Sequence, residues 1–466
     1  MLHAAVLLLA VGPAVPVVAA PPPPGKETYA TRRDRLVAEL SPGAVAVLRT
    51  ATEAPLPART DPYRPDSDFW YLTGIDETNV TAFLRKDESG TTRYVLFVQP
   101  ANPVEDQWTG FRAGVDGAKD RFGADEAFPA PELWDRLPKL WRGAAALYFV
   151  DGGDREFRER LFEAWTKGDA DATSARPTVS ARPIVARMRQ VKDDGELRLL
   201  RRAVDLSVEA HRAAMAGTAP GGSEAALKAA MVAACLAGGG ARMAYPPIVG
   251  SGPNSVILHY ERADRGLQAG EMVVNDTACE YGMYAADVTR SYPVSHRFTP
   301  EQKAIYEIVL AAQKAGIEKV RPGSRIHEIY ETTVRVVVDG LLGLGLLQGD
   351  RDEIIRSRSF RRFYPHGCSH WLGLDVHDAG SYEFDLADDS WRDRFFYARA
   401  VLRPGMVLTV EPGIYVPEGA TPDRKWWNIG VRIEDDVLVT PAGPECLSCA
   451  LPREIADVEK ALGRRQ

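Results

Sequence analysis

The sequence predicts an α/β domain followed by an α+β domain assembled from two related halves. Two observations carry this. A proline-punctuated stretch, Ser174–Pro177 through Ala181–Pro183, divides a chain of 466 residues, long enough for two or three domains with ample core. Beyond it, one pattern occurs twice: Leu-x-x-Gly, then an apolar strand ending on a carboxylate six residues after the glycine. The expected layout is a leader over 1–24, an N-terminal domain over 25–178 and a second domain over 190–466.

Within the first domain, Tyr29–Leu40 reads as a short amphipathic helix, and Ala44–Leu48 and Tyr94–Val98 read as strands. The aromatic-rich run Tyr63–Gly74 is expected to pack in the core. Trp108 stands apart. It lies in a polar, turn-rich segment beside Arg112, where a tryptophan suits an interface or pocket anchor. After the connector, a helix is expected with Leu197, Leu200, Val204, Val208 and His211 along its buried face. Gly221–Ala237 reads as a second helix, and Tyr245–Gly252 and Ser255–Tyr260 as strands. Thr299-Pro-Glu-Gln302 has the N-cap, N1 proline and N3 glutamine of a capping box, launching a helix over Ala304–Val320.

An apolar content of 45% and a charged content of 26% are those of an ordinary globular protein. A net charge of −7 argues against nucleic acid as the main partner, and no later stretch is apolar for long enough to span a bilayer. Met1–Ala20 contains no charged side chain and ends in small residues, so it reads as a secretory signal for a periplasmic or secreted protein; the alternative is a cytoplasmic leader. The five cysteines are too few and too scattered to suggest a disulfide framework, and the Cys446-Leu-Ser-Cys449 spacing reads as structural.

Chemistry concentrates in Tyr364–Gly380, YPHGCSHWLGLDVHDAG, which holds three of the eight histidines, His366, His370 and His377, with Asp375 and Asp378 alongside. The repeat supplies the rest. Leu267–Asp276 and Leu402–Glu411 each end on a carboxylate, and each is followed by a second strand, Tyr284–Val294 with Asp287 and Ile429–Thr440 with Glu434. A turn centred between Tyr281 and Gly282 would place Asp276 and Asp287 directly opposite each other, and an even loop would do the same for Glu411 and Glu434. Carboxylates that close are destabilising unless a cation lies between them. With His370 they make an oxygen-rich inventory for two divalent metal ions, of which Mn²⁺ is expected.

Ser255–Tyr260, Tyr284-Ala-Ala-Asp287-Val-Thr-Arg290, Pro365–Asp378, Val410-Glu411-Pro-Gly-Ile-Tyr415 and Val431-Arg-Ile-Glu434 resemble the Xaa-Pro aminopeptidases of the pita-bread metallopeptidase family. Asp66–Gly74 resembles that family's creatinase-like N-domain. The resemblance implies an α/β N-terminal creatinase-like domain followed by an α+β pita-bread catalytic domain with a pseudo-twofold repeat. It implies hydrolysis of the N-terminal Xaa-Pro bond by a metal-bridging hydroxide, on peptides with proline at the second position. Asp276, Asp287, His370, Glu411 and Glu434 would be the metal ligands, with Glu411 also exchanging a proton. His259, His366, His377 and Arg432 would hold substrate and intermediate, with Tyr415 nearby. Trp108 would reach a neighbouring subunit's pocket, implying a homo-oligomer, dimer or tetramer. The chain departs from the family's Asp-Ala-Gly by reading Asp276-Thr-Ala278. A prolidase restricted to Xaa-Pro dipeptides is the nearest alternative, and a non-catalytic pita-bread binding module is a second.

Overall fold

The computed structural model describes residues 24–52, 62–86, 90–167, 176–384 and 394–463; the leader expected at the N-terminus lies outside them. The chain forms two compact units. One comprises residues 23–195 with 373–382, the other 196–372 with 383–466.

In the first unit the apolar runs become a six-stranded sheet. Its strands are β1 (Val45–Arg49), β2 (Thr81–Lys86), β3 (Thr92–Val98), β4 (Glu126–Pro129), β5 (Leu147–Val150) and β6 (Thr178–Ser180), in the order β4-β3-β2-β1-β5-β6. Strand alternation turns Val45, Val47, Val95 and Phe97 into one core, where they meet Leu137, Trp141, Leu161 and Trp165 of the covering helices. The aromatic run Tyr63–Gly74 packs inward as expected: Asp66 caps helix Ser67–Thr73, and Phe69, Trp70, Tyr71 and Leu72 are buried. That helix ends on Gly74 at φ +71°, where a Cβ would lie 2.4 Å from the Tyr29 ring. The connector is more regular than its prolines suggest. It holds β6 and a helix, Arg182–Gln190, that starts with Pro183 in its first turn.

Asp375 and Asp378, expected beside the histidines as part of a site, have a structural role in this unit. Arg189 bonds Asp68 and Asp375 at 2.7 Å each and also pairs with Asp378, while Lys192 reaches Asp378 at 2.9 Å. Arg189, Lys192, Asp68 and Asp378 are all buried, so each charge persists only because the others neutralise it.

The second unit is built from two long hairpins among helices. The helix with His211 on its buried face spans Asp194–Gly217, and the next spans Glu224–Ala237. The capping box forms at Thr299 and opens helix Pro300–Ile317, which packs on helix Ile326–Gly343. The expected strand over Ser255–Tyr260 is absent. Gly252, at φ +51°, turns the chain into a 3₁₀ segment, Gly252–Val256, instead.

The strands of this unit are β7 (Arg242–Met243), β8 (Ile248–Ser251), β9 (Met272–Asp276), β10 (Cys279–Tyr281), β11 (Tyr284–Ala285), β12 (Thr289–Pro293), β13 (Val407–Val410), β14 (Gly413–Val416), β15 (Ile429–Arg432), β16 (Asp435–Thr440) and β17 (Gly443–Cys446). The first hairpin runs β9-β10 out and β11-β12 back, with Tyr281 opposite Tyr284 and Asp276 opposite Thr289. Its turn is therefore centred between Gly282 and Met283, one residue beyond the expected point, and Asp287 is the diagonal rather than the direct neighbour of Asp276. The cause is local. Gly282 and Met283 take φ of +54° and +73°, the pair of left-handed values a type I′ two-residue turn requires. The slip is two residues in register, so both carboxylates keep the same face.

The second hairpin pairs Val410 with Asp435 and Gly413 with Arg432. That single register puts Glu411 opposite Glu434, as the repeat suggests. Cys235–Cys279 and Cys446–Cys449 are paired, with Cα atoms 5.9 and 5.5 Å apart, so four of the cysteines form disulfides where no framework was expected; Cys368 is buried and free. Among the described residues no helix is long and apolar enough to cross a membrane.

Candidate metal centre

Three of the four carboxylates lie between named strands, Asp287 between β11 and β12, Glu411 between β13 and β14 and Glu434 between β15 and β16, while Asp276 ends β9. The hairpins meet there through a bridge between Thr289 and Glu434. The Thr289 hydroxyl donates to Glu434 Oε2 at 2.6 Å, and Glu434 N–H donates to Thr289 O at 3.1 Å. Arg290 fastens the far side, donating to Glu434 O at 2.7 Å and to Asp435 at 2.7 Å. His370 enters along β13, its own N–H donating to the Thr409 hydroxyl at 3.1 Å and its O accepting from Thr409 N–H at 3.0 Å.

This brings Asp276, Asp287, His370, Glu411 and Glu434 together. Atoms of Asp287, His370 and Glu434 lie within 4.8 Å of one another. His370 Nε2 is 3.3 Å from Asp287 Oδ2 and 3.6 Å from Glu411 Oε1. Its Nδ1 is 3.1 Å from the Trp371 carbonyl, an acceptor that holds a proton on that nitrogen and turns Nε2 toward the carboxylates. Tyr245 shares one hydroxyl proton between Asp276 Oδ1 at 2.5 Å and Asp287 Oδ1 at 2.7 Å.

Burial dominates the electrostatics of the cluster. Burial pushes the Asp276 carboxyl up, against the pull of Arg432 and with the push of Asp287. Glu411 is raised to about 7 by burial, which outweighs His370. Glu434 goes well above its ordinary range through burial and the charges of Asp287, Glu411 and Asp276. Burial alone would lower His370; its hydrogen bond to Asp287 and the charge of Glu411 raise it to about 9. A cation between the carboxylates replaces the protons they otherwise hold, and four carboxylates with one imidazole are hard and borderline donors suited to a divalent ion. The residues fit such a group.

Arg432 is buried, and its guanidinium is engaged by Asp276 at 2.6 Å, Tyr415 at 2.8 Å and Thr289 at 3.2 Å. It thus steadies the cluster and polarises Tyr415, whose hydroxyl lies 2.9 Å from His366 Nε2. Burial and the charge of Arg432, with His259 adding to it, push His366 down to about 3. His366 is therefore neutral; since Nδ1 faces the Gly367 carbonyl at 2.5 Å, Nε2 is the acceptor for Tyr415. His259 is exposed, and His377 and Trp108, also exposed, belong to the other compact unit. Thr277 and Ala278 are not among the described residues with positive φ, so the missing glycine costs this strand nothing.

Single-residue reading missed Tyr245, Thr289, Arg290 and Asp436, whose carboxylate accepts from Asp287 N–H at 3.1 Å. The run Glu434-Asp435-Asp436 held the one available signal: alternation sends Asp435 to Arg290 and leaves Asp436 on the face of Glu434.

Residues 198–441 match Metallopeptidase family M24, and residues 29–148 match the aminopeptidase P N-terminal domain. An Xaa-Pro aminopeptidase of Haemophilus influenzae is 37% identical over 442 residues, covering 94% of this chain and 97% of the relative. Aminopeptidase PepP of Pseudomonas aeruginosa superposes with a TM-score of 0.88 at 39% identity, covering 94% of this chain and 98% of that one. Zinc-substituted aminopeptidase P of Escherichia coli, solved with product, gives a TM-score of 0.88 at 35% identity, covering 96% and 100%. With likeness over nearly the whole length, on a fold whose hairpins gather four carboxylates around an imidazole, the chain belongs to metallopeptidase family M24.

Proposed function

We propose that this chain is an Xaa-Pro aminopeptidase that removes the N-terminal residue from peptides with proline at the second position. The convergence of Asp276, Asp287, His370, Glu411 and Glu434 on one point carries the reading, and the near-full-length similarity to aminopeptidases supports it. These five residues are the proposed ligands of two divalent ions, with Mn²⁺ favoured by a carboxylate-rich set holding a single imidazole. Bound divalent ions supply Lewis acidity and a water acidic enough to be nucleophilic at neutral pH.

The protein's own groups do the rest. An Xaa-Pro bond is a tertiary amide without an N–H, so its nitrogen needs a delivered proton to leave. Glu411 is the partly accessible carboxylate of the cluster, the one a substrate nitrogen could approach to have a proton accepted and returned to it. Neutral His366, fixed by Tyr415 and the Gly367 carbonyl, has a defined tautomer for the substrate, and exposed His259 is assigned to stabilising developing negative charge. His377 is assigned to substrate binding. Arg432, enclosed as it is, acts through Asp276 and Tyr415.

Trp108 is 85% exposed, and nearby Phe111 is 92% exposed; an apolar pair left open in this way supports assembly into a homo-oligomer. The two cysteine pairs support export by the leader, since disulfides persist in oxidising compartments.

The test is Mn²⁺-dependent release of the first residue from an Xaa-Pro-Yaa tripeptide, with Asp287→Ala alongside. Activity in the parent and its loss in the variant are expected. Cleavage of Xaa-Pro dipeptides alone would make the protein a prolidase, and a parent that binds metal without cleaving either substrate would be a binding module.

A further inference from the structure

One carboxylate outside the metal cluster is wholly buried and organises the segment that presents His259. Glu224 opens helix Glu224–Ala237, after Ser223 caps it, and is 0% exposed. Oε1 accepts from Ser251 N–H at 2.7 Å, the Ser251 hydroxyl at 2.8 Å and Asn254 Nδ2 at 3.1 Å. Oε2 accepts from the Tyr260 hydroxyl at 2.9 Å and Arg265 N–H at 3.0 Å. Glu224 N–H in turn donates to Arg265 O at 3.0 Å.

These contacts come from both ends of one segment. Ser251 and Asn254 precede His259, while Tyr260 and Arg265 follow it, so the segment closes into a loop on a single side chain. The 3₁₀ turn gives residues 252–256 little ladder pairing of their own, and the Tyr260 hydroxyl also donates to Asp264 at 2.7 Å. His259 itself is exposed and is steered by what its neighbours hold. On its other side the loop meets the second hairpin, where Ser255 Oγ accepts from Gly430 N–H at 3.0 Å. A neutral acceptor of the same shape falls short. The substitution Glu224→Gln would turn one oxygen into an NH₂ facing donors, leaving the Arg265 N–H on one side, or the Ser251 N–H on the other, without its acceptor.

We infer that Glu224 is a positioning residue for the peptidase reaction, fixing the Ser251–Arg265 loop so that His259 faces the reacting bond. The inference rests on the reading of His259 as substrate-facing.

The test compares Glu224→Gln, His259→Ala and the double variant of the full-length, Mn²⁺-loaded protein on an Xaa-Pro-Yaa tripeptide. Metal content and amide hydrogen exchange over residues 251–265 are measured in each. Glu224→Gln should keep parental metal content, exchange faster across the loop, and lose about 10- to 100-fold in kcat and kcat/KM together, as expected when a reacting group is misplaced. The double variant should be no slower than His259→Ala alone. Tyr260→Phe removes one contact beside His259 and should show a smaller loss with the same non-additivity, which keeps the test open if Glu224→Gln does not fold. Additive losses, or faster exchange with parental kcat, would overturn the inference while leaving His259 in its role. A fully active His259→Ala would overturn the inference by removing that role.

Discussion

Replacing Tyr245 by phenylalanine isolates one proton at the metal centre. The ring is retained and only the hydroxyl is lost, which lies 2.5 Å from Asp276 and 2.7 Å from Asp287. Because a single proton serves two carboxylates, the loss counts as one hydrogen bond to a charged group, about 1.5–3 kcal/mol. Without it the two carboxylates face each other with less to offset their repulsion, and nothing fixes the oxygens each presents. Removing a partner that orients metal ligands generally lowers metal affinity about 10–100-fold, or ~1.4–2.7 kcal/mol, the same range reached from the hydrogen bond. The assay is a chelator-competition titration with Mn²⁺ on parent and Tyr245→Phe protein, beside thermal melts of the chelated proteins. Affinity should fall within that range and the chelated variant should melt earlier. Unchanged affinity with an unchanged melt would refute the reasoning.

Other outcomes follow from the same structure. Loading the chelated protein with Mn²⁺ should release protons below pH 7 and fewer above it, because Glu411 holds a proton up to about 7; calorimetry in buffers of different ionisation enthalpy reads this directly. The same raised value stabilises the chelated protein below the ordinary carboxylate range, and that contribution is lost as pH rises through 7, so the gain in melting temperature from metal should grow toward alkaline pH. His211 is buried with Nε2 on the Thr277 and Val288 carbonyls and is lowered from 6.5 to about 4, by burial first and then by Arg290. Its contribution is full above pH 6.5 and falls away toward pH 4, by ~3 kcal/mol; urea melts of His211→Gln should show a shallower acid dependence than the parent. Trp108→Ala should leave unfolding free energy within ~0.5 kcal/mol of the parent, while sedimentation should show a smaller assembly.

The metal-centre face was legible in the sequence because side chains on a strand repeat every two residues, and a register error of two leaves that face intact. The exact pairing was not, since it turned on Met283, a residue with a Cβ, accepting a left-handed φ of +73°. The capping box at Thr299 was legible because all its parts lie within four residues. Tyr245, Glu224 and the Cys235–Cys279 pair were not, for each is a lone side chain whose partner lies 27 or more positions away. Ser255–Tyr260 read as a strand by composition, but Gly252 and the pull of Glu224 on Asn254 and Tyr260 outweigh propensity there.

The return of residues 373–382 to the N-terminal unit bears on how the protein can be divided. A fragment ending near residue 195 would contain every strand of the six-stranded sheet yet omit Asp375 and Asp378. Arg189 would keep only Asp68, and Lys192 would lose its buried counter-charge, a defect of several kcal/mol by the usual cost of breaking such pairs. The N-terminal unit is thus contiguous in space but not along the chain, and neither it nor its neighbour is a transferable cassette. Chimeras that exchange it with a relative need three crossovers, near residues 195, 372 and 382, so that residues 373–382 come from the same parent as Arg189.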